Sequence, residues 1–406
     1  MKKHWSLSVS TRHTASDIII GRKPQLTFKL RSIRPNLFFM VKRYNKSIFT
    51  VNLIFICICL LLLSVVGVLV FVLPHEDFSE QENRALADIP HFTPSSFWDG
   101  RYFGGISDFY SDRIPFRTQM IRAKAMCELA LGREQNNGVI FSEGGALIDR
   151  CEYKSDAILR KNAGKIKNFI SEYPSANTVC VPRSVDVLAN SESARSALDL
   201  LEREGLFDEA LLGELKAGAE KGEEVYYKTD HHLDADGAFS LYRYVVSALG
   251  YKPYEKSDFT VTEVSDGFLG TIYSKSGLLS KSADTVSLYR YDGDADFCVK
   301  CEDMGCETQA LYCFNCLENK DKYGVFLGGN HGIARVSDGS RDKPSLLLIK
   351  DSFANAIIPL LARHFDLTVY DPRYSDVRAD ELDPEKFDEV LILFGVDTIA
   401  TTALDF

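Results

Sequence analysis

The chain has 406 residues, enough for one large domain or two average domains with a substantial core. Residues 1–46 contain eleven Lys or Arg and one Asp, a net charge of +10, so the remainder carries −20 of the total of −10. A domain this acidic is a poor candidate for nucleic-acid binding, which requires clustered Lys and Arg.

The first predicted element is a membrane anchor at residues 48–73. This segment has no charged residue and exceeds the ~20 apolar residues that a spanning helix needs. The positive-inside rule places the basic arm, residues 1–47, in the cytoplasm and the acidic part outside. A cleaved signal peptide is the alternative, but no small-x-small site follows the apolar run. A complete short anchor also starts at Met40, so residues 1–39 are hypothesised to lie upstream of the native start.

Residues 74–135 are predicted to form a juxtamembrane stalk and an aromatic helical segment, which covers 97–131. An α/β domain is expected over 136–406. Its patterns predict helices and strands in alternation. The predicted helices are 157–170, 191–201, 208–219, 236–249, 353–363 and 384–388, and the predicted strands are 178–181, 224–228, 346–349, 367–370 and 389–394. This alternation indicates a parallel sheet covered on both faces, with ligands beyond the carboxyl ends of its strands.

Ser352 follows one of these strands and starts a helix. Backbone N–H groups at that position can stabilise an oxyanion next to a serine nucleophile. The plain alternative is that Ser352 or Asp351 is only a helix N-cap. The local pattern does not choose between these readings.

Asp230 and His232 lie at the end of the candidate strand 224–228. A nucleophilic serine needs a base, and a carboxylate must hold the imidazole in the correct tautomer. Strand alternation would send both side chains the same way and turn His231 aside. There are two alternatives: a histidine caps the next helix, or the two adjacent histidines bind a metal ion. The case for a metal ion is weak, because no further ligand follows at a suitable spacing.

A glycine-rich stretch with Gly329 and Asn330 precedes the serine strand. Glycine permits close backbone approach, and the Asn amide can donate to an oxyanion, although an ordinary turn has the same composition. His331 and His364 are rival bases, because both lie near Ser352 in sequence. Common nucleotide-binding and metalloprotease motifs are absent from the sequence, and no cofactor is expected.

A cysteine-rich insertion is expected at about 296–318. Its two C-x-x-C pairs are typical of a small zinc site, but outside the membrane they favour disulfides. Because the insertion has five cysteines, one thiol would have no partner within it. The residues are Cys298, Cys301, Cys306, Cys313 and Cys316.

Several short stretches together resemble the DHHW proteins, a family of anchored bacterial surface proteins similar to the SGNH-type proteins of alginate O-acetylation. They are Glu82-Asn83-Arg84, Asp112-Arg113 with Phe116-Arg117, Thr229-Asp230-His231-His232, 270–277, 326–331, Lys350-Asp351-Ser352-Phe353 and 371–374. Leu233 stands where the family motif has Trp after the histidines. This departure puts the stacking of substrate in doubt more than the presence of the triad.

The resemblance implies an SGNH-hydrolase-like domain in which Asp230, His232 and Ser352 are orienter, base and nucleophile. The expected function is a serine O-acyltransferase or esterase acting on O-acetyl groups of a cell-surface polysaccharide. Gly329 and Asn330 would form the oxyanion hole, and Arg373 would contact substrate. The expected partners are the polysaccharide, an acyl donor and export or acyl-transfer machinery. The alternative is a non-catalytic glycan-binding or assembly protein with the same fold.

Overall fold

The computed structural model describes residues 34–405 apart from 74–76, 80–83, 143, 152–154, 190–191, 280, 303–305, 309 and 341. The predicted basic arm therefore lies outside the described residues as far as position 33. The chain divides into two compact units, Met1–Val72 and Leu73–Phe406.

The described part of the first unit is one helix, α1, Arg34–Val72. Its segment Ile48–Val72 has a mean hydropathy of 3.3 over its best window, and it is the one helix among the described residues long and apolar enough to cross a membrane. Such a segment is compatible with a single-pass anchor, as expected from its sequence. Met40 falls within this helix.

The helices of the second unit cover the sheet or join its strands. They are α2 Pro94–Trp98, α3 Arg101–Arg113, α4 Arg117–Ala130, α5 Ala157–Glu172, α6 Ser184–Leu188, α7 Glu192–Arg203, α8 Glu209–Glu220, α9 Ala235–Ala248, α10 Thr271–Ser276, α11 Ile358–Leu361 and α12 Val396–Thr401.

Among the described residues, the strands form one large sheet and three small ones. They are β1 Phe78–Ser79, β2 Arg84–Ala85, β3 Gln135–Asn136, β4 Val139–Phe141, β5 Leu147–Asp149, β6 Ala176–Val181, β7 Thr260–Phe268, β8 Asp284–Arg290, β9 Cys298–Cys301, β10 Cys306–Thr308, β11 Ile333–Ser337, β12 Ser345–Lys350, β13 Asp366–Tyr370 and β14 Glu389–Gly395.

The large sheet has the strand order β10-β9-β11-β13-β12-β14-β6. Strands β13, β12, β14 and β6 are parallel, as predicted, whereas β11, β9 and β10 add an antiparallel edge. The central strand β12 is buried along nearly its whole length. Uniformly apolar strands of this kind form because helices cover both faces of a parallel sheet.

Three predicted elements differ in the structure. The predicted helix 384–388 is only a 3₁₀ turn, Pro384–Lys386. Residues 224–228 form no strand, because only an isolated bridge joins Tyr226 to Leu233, and the chain turns between them. The predicted helix 353–363 is a 3₁₀ helix, Ser352–Ile357, followed by the short α11. Helix α9 is capped by Asp234, whose side chain accepts from the Gly237 N–H at 2.9 Å, and not by Asp236.

Gly237 fixes how closely α9 approaches the chain before the turn at 226–233. A Cβ atom there would lie 2.0 Å from the carbonyl oxygen of Val225, whereas a Cβ at the exposed helical Gly213 would meet nothing within 4 Å. We expect Gly237→Ala to lower the free energy of unfolding by about 1–3 kcal/mol through overpacking. Gly213→Ala, the matched control, should raise it by roughly 0.5–1 kcal/mol through helix propensity. Urea unfolding of both variants measures this, and equal effects would contradict the prediction.

Candidate active site

Ser352 lies at the carboxyl end of the central strand β12, where the chain enters the 3₁₀ helix. Asp351 caps that helix, since its carboxylate accepts the Phe353 N–H at 3.0 Å and the Gly395 N–H at 2.7 Å. The capping role therefore falls to the buried Asp351. This leaves the Ser352 hydroxyl to bond elsewhere.

That hydroxyl bonds to His232. The Ser352 Oγ lies 2.9 Å from His232 Nε2, and His232 Nδ1 lies 2.6 Å from Asp230 Oδ1. A carboxylate only accepts, so Nδ1 carries the proton and Nε2 is left to accept the Ser352 O–H. The sequence predicted the contact between Asp230 and His232 from strand alternation, and that reason was wrong. The two residues lie in a turn, where Asp230 Oδ1 also accepts the His232 backbone N–H at 3.1 Å.

The Asp230 carboxylate is almost fully buried and accepts four hydrogen bonds. Besides the two from His232, Oδ2 accepts the Thr271 N–H at 2.7 Å and the Thr271 hydroxyl at 3.0 Å. Burial by itself raises the pKa of Asp230, but the neighbouring His231 and His232 and the hydrogen bonds more than offset it, and the pKa lies well below its usual range. Asp230 is therefore a carboxylate at neutral pH.

Gly270 allows this close contact between Asp230 and the first turn of α10. A Cβ at position 270 would lie 2.3 Å from both Cβ and Oδ2 of Asp230. The stretch 270–277, which carries part of the family resemblance, thus supplies Thr271, whose N–H and hydroxyl bind the carboxylate.

The His232 ring is covered by Tyr323. Their ring centroids are 3.8 Å apart with an interplanar angle of 8°, and the Tyr323 hydroxyl donates to the Ser352 carbonyl oxygen at 3.0 Å. Burial, together with the neighbouring His231, lowers the pKa of His232 to about 4 despite Asp230. The neutral imidazole is thus the form present at pH 7. Tyr323 was missed in the sequence, where no motif distinguishes it from other core tyrosines.

Gly329 and Asn330 lie in a tight loop beside the serine segment. Leu327, Gly328 and Gly329 have φ values of 60°, 83° and 113°, the left-handed region in which glycine is favoured. The Asn330 Oδ1 accepts from Lys350 Nζ at 3.2 Å and from Asn355 Nδ2 at 3.1 Å. Because both of these hydrogen bonds are made to the amide oxygen, the N–H₂ group of Asn330 points away from Lys350 and Asn355.

The buried Lys350 holds this loop through its hydrogen bond to Asn330. Its ammonium also donates to Asn355 Oδ1 at 2.9 Å and pairs with Asp371 at 3.3 Å. Burial lowers the pKa of Lys350, and Asp371 opposes the shift. Arg373 forms a two-pronged ion pair with the same carboxylate, at 2.9 and 2.7 Å. The structure thus directs Arg373 at Asp371, and a substrate contact by Arg373 stays a prediction.

The two rival histidines are bonded to other groups. His331 is buried, with Nε2 3.0 Å from the Leu327 carbonyl oxygen. His364 bonds through Nε2 to the Tyr242 hydroxyl at 2.8 Å and precedes β13, at the end of the sheet opposite Ser352. His232 is the histidine for which the structure gives a hydrogen bond to Ser352.

The cysteine insertion forms the hairpin β9–β10 at the sheet edge and the turn after it. Cys298 is exposed and Cys301 buried, because residues three apart on a strand face opposite ways, which does not suit joint zinc ligation. Cys313 and Cys316 have their sulfur atoms 2.8 Å apart. The side chain of Cys306 lies outside the described residues.

Within the described part of the chain, the group of side chains close enough together to hold a metal ion is Asp230, His231 and His232. The donor set fits poorly, because both oxygens of Asp230 and Nδ1 of each imidazole already take part in hydrogen bonds with one another or with Thr271.

A cavity of about 570 Å³ lies next to His231 and Thr271, whose side chains contact His232 and Asp230. His231 and Thr271 line it near the triad, and Arg117 and Ile121 of α4 line it as well. This volume is within the about 300–1,000 Å³ typical of small-molecule sites.

A Ser-His-Asp chain at the carboxyl edge of a largely parallel, helix-covered sheet defines an SGNH-hydrolase-like α/β protein. Residues 209–371 match the family model described as DHHW protein, which confirms the resemblance predicted from the motifs. No curated protein matches the sequence.

Two of the solved structures similar to this chain, the first two below, support the fold. A DHHW family protein from Eubacterium siraeum has a TM-score of 0.55 and 19% identity, covering 66% of this chain and 93% of that one. Bacillus cereus PatB1 with a sulfonyl adduct has a TM-score of 0.54 and 18% identity, covering 65% and 96%. The O-acetyltransferase domain of Pseudomonas putida AlgJ has a TM-score of 0.40 and 14% identity, covering 65% and 93%.

The cluster under the Asn330 loop yields a prediction for stability. Asp371→Asn removes the carboxylate that faces the buried Lys350 and Arg373, and an uncompensated buried charge costs about 3–5 kcal/mol. We expect urea unfolding to show a loss of that size. Asp380→Asn, at an exposed ion pair with Arg378, is the control and should change stability by less than about 1 kcal/mol. Equal losses would show that the Lys350 cluster contributes no more than a surface pair.

Proposed function

We propose that the protein is a membrane-anchored, extracytoplasmic serine O-acyltransferase or esterase that acts on O-acetyl groups of a cell-surface polysaccharide. The observation that carries the proposal is the unbroken series of hydrogen bonds from Asp230 through His232 to Ser352, and the adjoining His231 and Thr271 line a cavity. A carboxylate, a neutral imidazole and a hydroxyl in this order are the parts needed to activate a serine nucleophile.

In the first step the Ser352 Oγ attacks the carbonyl carbon of an acyl ester while its proton passes to His232 Nε2. The tetrahedral intermediate collapses when the leaving alcohol oxygen takes that proton, which gives an acyl-serine. In the second step a sugar hydroxyl or water attacks the acyl-serine, its proton passes to His232, and Ser352 is released with the proton restored. Asp230 stabilises the imidazolium that forms between these transfers.

The oxyanion of the tetrahedral intermediate would accept hydrogen bonds from the Ser352 backbone N–H and from Gly329 and Asn330. The Asn330 oxygen is engaged by Lys350 and Asn355, which fixes its amide donors in one orientation before any substrate arrives. Donors held in advance of the reaction are the usual source of oxyanion stabilisation.

The substrate class and the location have separate support. We infer a polysaccharide substrate from the resemblance of the motifs to SGNH-type proteins of alginate O-acetylation. The outward location comes from the apolar helix segment Ile48–Val72 and the basic residues before it. A transferase would need an acyl donor, which export or acyl-transfer machinery would deliver, whereas an esterase would need only the acetylated polysaccharide and water.

Loss of the triad should abolish ester turnover. We expect Ser352→Ala and His232→Ala of the full-length protein to lower kcat on a chromogenic acetyl ester by roughly 10³-fold or more, since triad members act as a unit. Ser247→Ala and His91→Ala, both at exposed positions, are the matched controls and should keep the wild-type rate.

Reaction with a sulfonyl fluoride provides a second readout, because the PatB1 structure holds a sulfonyl adduct. The reagent should release fluoride and add its sulfonyl group to Ser352, found by peptide mass spectrometry. Turnover that survives both triad substitutions would contradict the proposal. No turnover and no adduct in the wild type, with glycan binding retained, would favour the non-catalytic assembly protein.

The pH dependence tests the base. His232 must be deprotonated to accept the serine proton, so activity is lost as the pH falls through its pKa, which burial lowers to about 4. We expect kcat/KM for the acetyl ester to be at its plateau by pH 6 and to fall only in more acidic buffer. An acid limb centred at the ordinary histidine value of about 6.5 would contradict this.

A further inference from the structure

We infer that the cavity beside the triad is the acceptor site for an uncharged sugar unit, and that His231 Nε2 accepts a hydrogen bond from one of its hydroxyls. The inference rests on the proposed function and assigns the acceptor side of the same reaction. It gives a role to the second residue of the Asp-His-His motif, which the triad leaves unused.

His231 is oriented differently from its neighbour. Its side chain is 33% exposed and lines the cavity, whereas that of His232 is 8% exposed. The two rings contact each other with their centroids 3.9 Å apart and their planes tilted by 37°. A sugar in the cavity would therefore contact His231, whose ring lies against the ring of His232.

The hydrogen bonds fix which nitrogen of His231 carries the proton. The Thr271 Oγ1 lies 3.0 Å from the Asp230 carboxylate, so its single hydrogen points there, because two unprotonated oxygens at that distance would repel. The same Oγ1 lies 2.8 Å from His231 Nδ1 and must accept from it. His231 Nδ1 is also 3.4 Å from Asp230 Oδ1, a second acceptor. The proton is thus on Nδ1, and Nε2 has its lone pair available.

An exposed acceptor nitrogen recognises a hydroxyl donor. Water and sugars both supply one, but a sugar carries several hydroxyls on one rigid ring. A hydroxyl held by His231 Nε2 would bring a neighbouring hydroxyl of the same ring to His232, which takes its proton as it attacks the acyl-serine. His231 is therefore an acceptor-binding residue, and His232 remains the base.

The charges around the cavity favour an uncharged sugar. Arg117 and Lys275 are balanced by Asp149 and Asp397, and Lys275 is paired with Asp149 at 2.6 Å. The chain after residue 46 carries a net charge of −20, which repels a polyanionic polymer at long range. Neither the local nor the overall charge is suited to a uronic-acid polymer.

Helix α4 provides the part of the cavity that is independent of the triad. Ile121 lies on that helix, outside the segment that matches the family model. A large side chain at this position would fill the cavity without touching the hydrogen bonds of Asp230, His232 or Thr271. The helical segment before the α/β body is thus assigned to acceptor selection.

Binding is measured first, in the full-length Ser352→Ala protein, which cannot turn over its ligand. Titration with maltopentaose, chitopentaose and pentagalacturonate by calorimetry should show binding of a neutral sugar and weaker or no binding of the uronic acid. Adding His231→Phe, which keeps a ring but removes the acceptor, should weaken the neutral sugar about tenfold, since a hydrogen bond of about 1–1.5 kcal/mol is lost. His231→Gln restores an acceptor and should recover part of the affinity. His91→Phe, at an exposed site, is the control.

Turnover is measured second, with Ser352 present. With an acetyl ester as donor, the ratio of sugar acetylation to hydrolysis should fall about tenfold in His231→Phe and also fall in Ile121→Trp. A wild type that hydrolyses the ester while these variants keep the wild-type ratio and sugar affinity would overturn the acceptor site and leave the proposed function standing. A wild type that binds neutral sugars through His231 but turns over no ester would refute the proposed function alone. Preferred binding of pentagalacturonate would overturn the assignment of an uncharged sugar.

Discussion

The candidate site depends on one buried carboxylate. Asp230 is removed from water, so its charge is tolerated only because His232 and Thr271 supply four donors to it. Each of those donors is thereby fixed in place. The imidazole of His232 is fixed as the Nδ1–H tautomer facing Ser352, and the hydroxyl of Thr271 is fixed toward the carboxylate, which in turn sets the proton of His231.

The turn that carries Asp230 is itself held by a second buried carboxylate. Asp284, at the start of β8, accepts the backbone N–H groups of Lys228 and Thr229 at 2.9 and 2.8 Å. The hydroxyl of Thr229 in turn accepts the Gly270 N–H at 3.1 Å, which joins the turn to α10. Residues far apart in sequence therefore hold the turn where a regular strand would otherwise be needed.

The sequence predicted the parallel strands and the position of Ser352, because long apolar runs such as 346–349 report burial directly. It also predicted the pairing of Asp230 with His232, although for the wrong local geometry. The antiparallel strand β11 and the covering ring of Tyr323 could not be predicted, since each depends on contacts between distant segments. The role of Lys350 was missed for the same reason: a lysine at the end of an apolar strand looks like a solvent-exposed cation until Asp371 is placed beside it.

Lys350 raises the question of why a buried ion pair is kept at all. Replacing such a pair by apolar side chains is often neutral or stabilising, so stability alone does not explain it. Here the ammonium is a donor only, and the oxygens of both Asn330 and Asn355 must therefore face it. With an aliphatic residue at position 350 the Asn330 oxygen would lose one of its two donors, and Asn355, which supplies the other, would lose its own bond to Lys350. The charge pair thus serves to fix the orientation of the Asn330 and Asn355 amides, and its stabilising energy is secondary to that constraint.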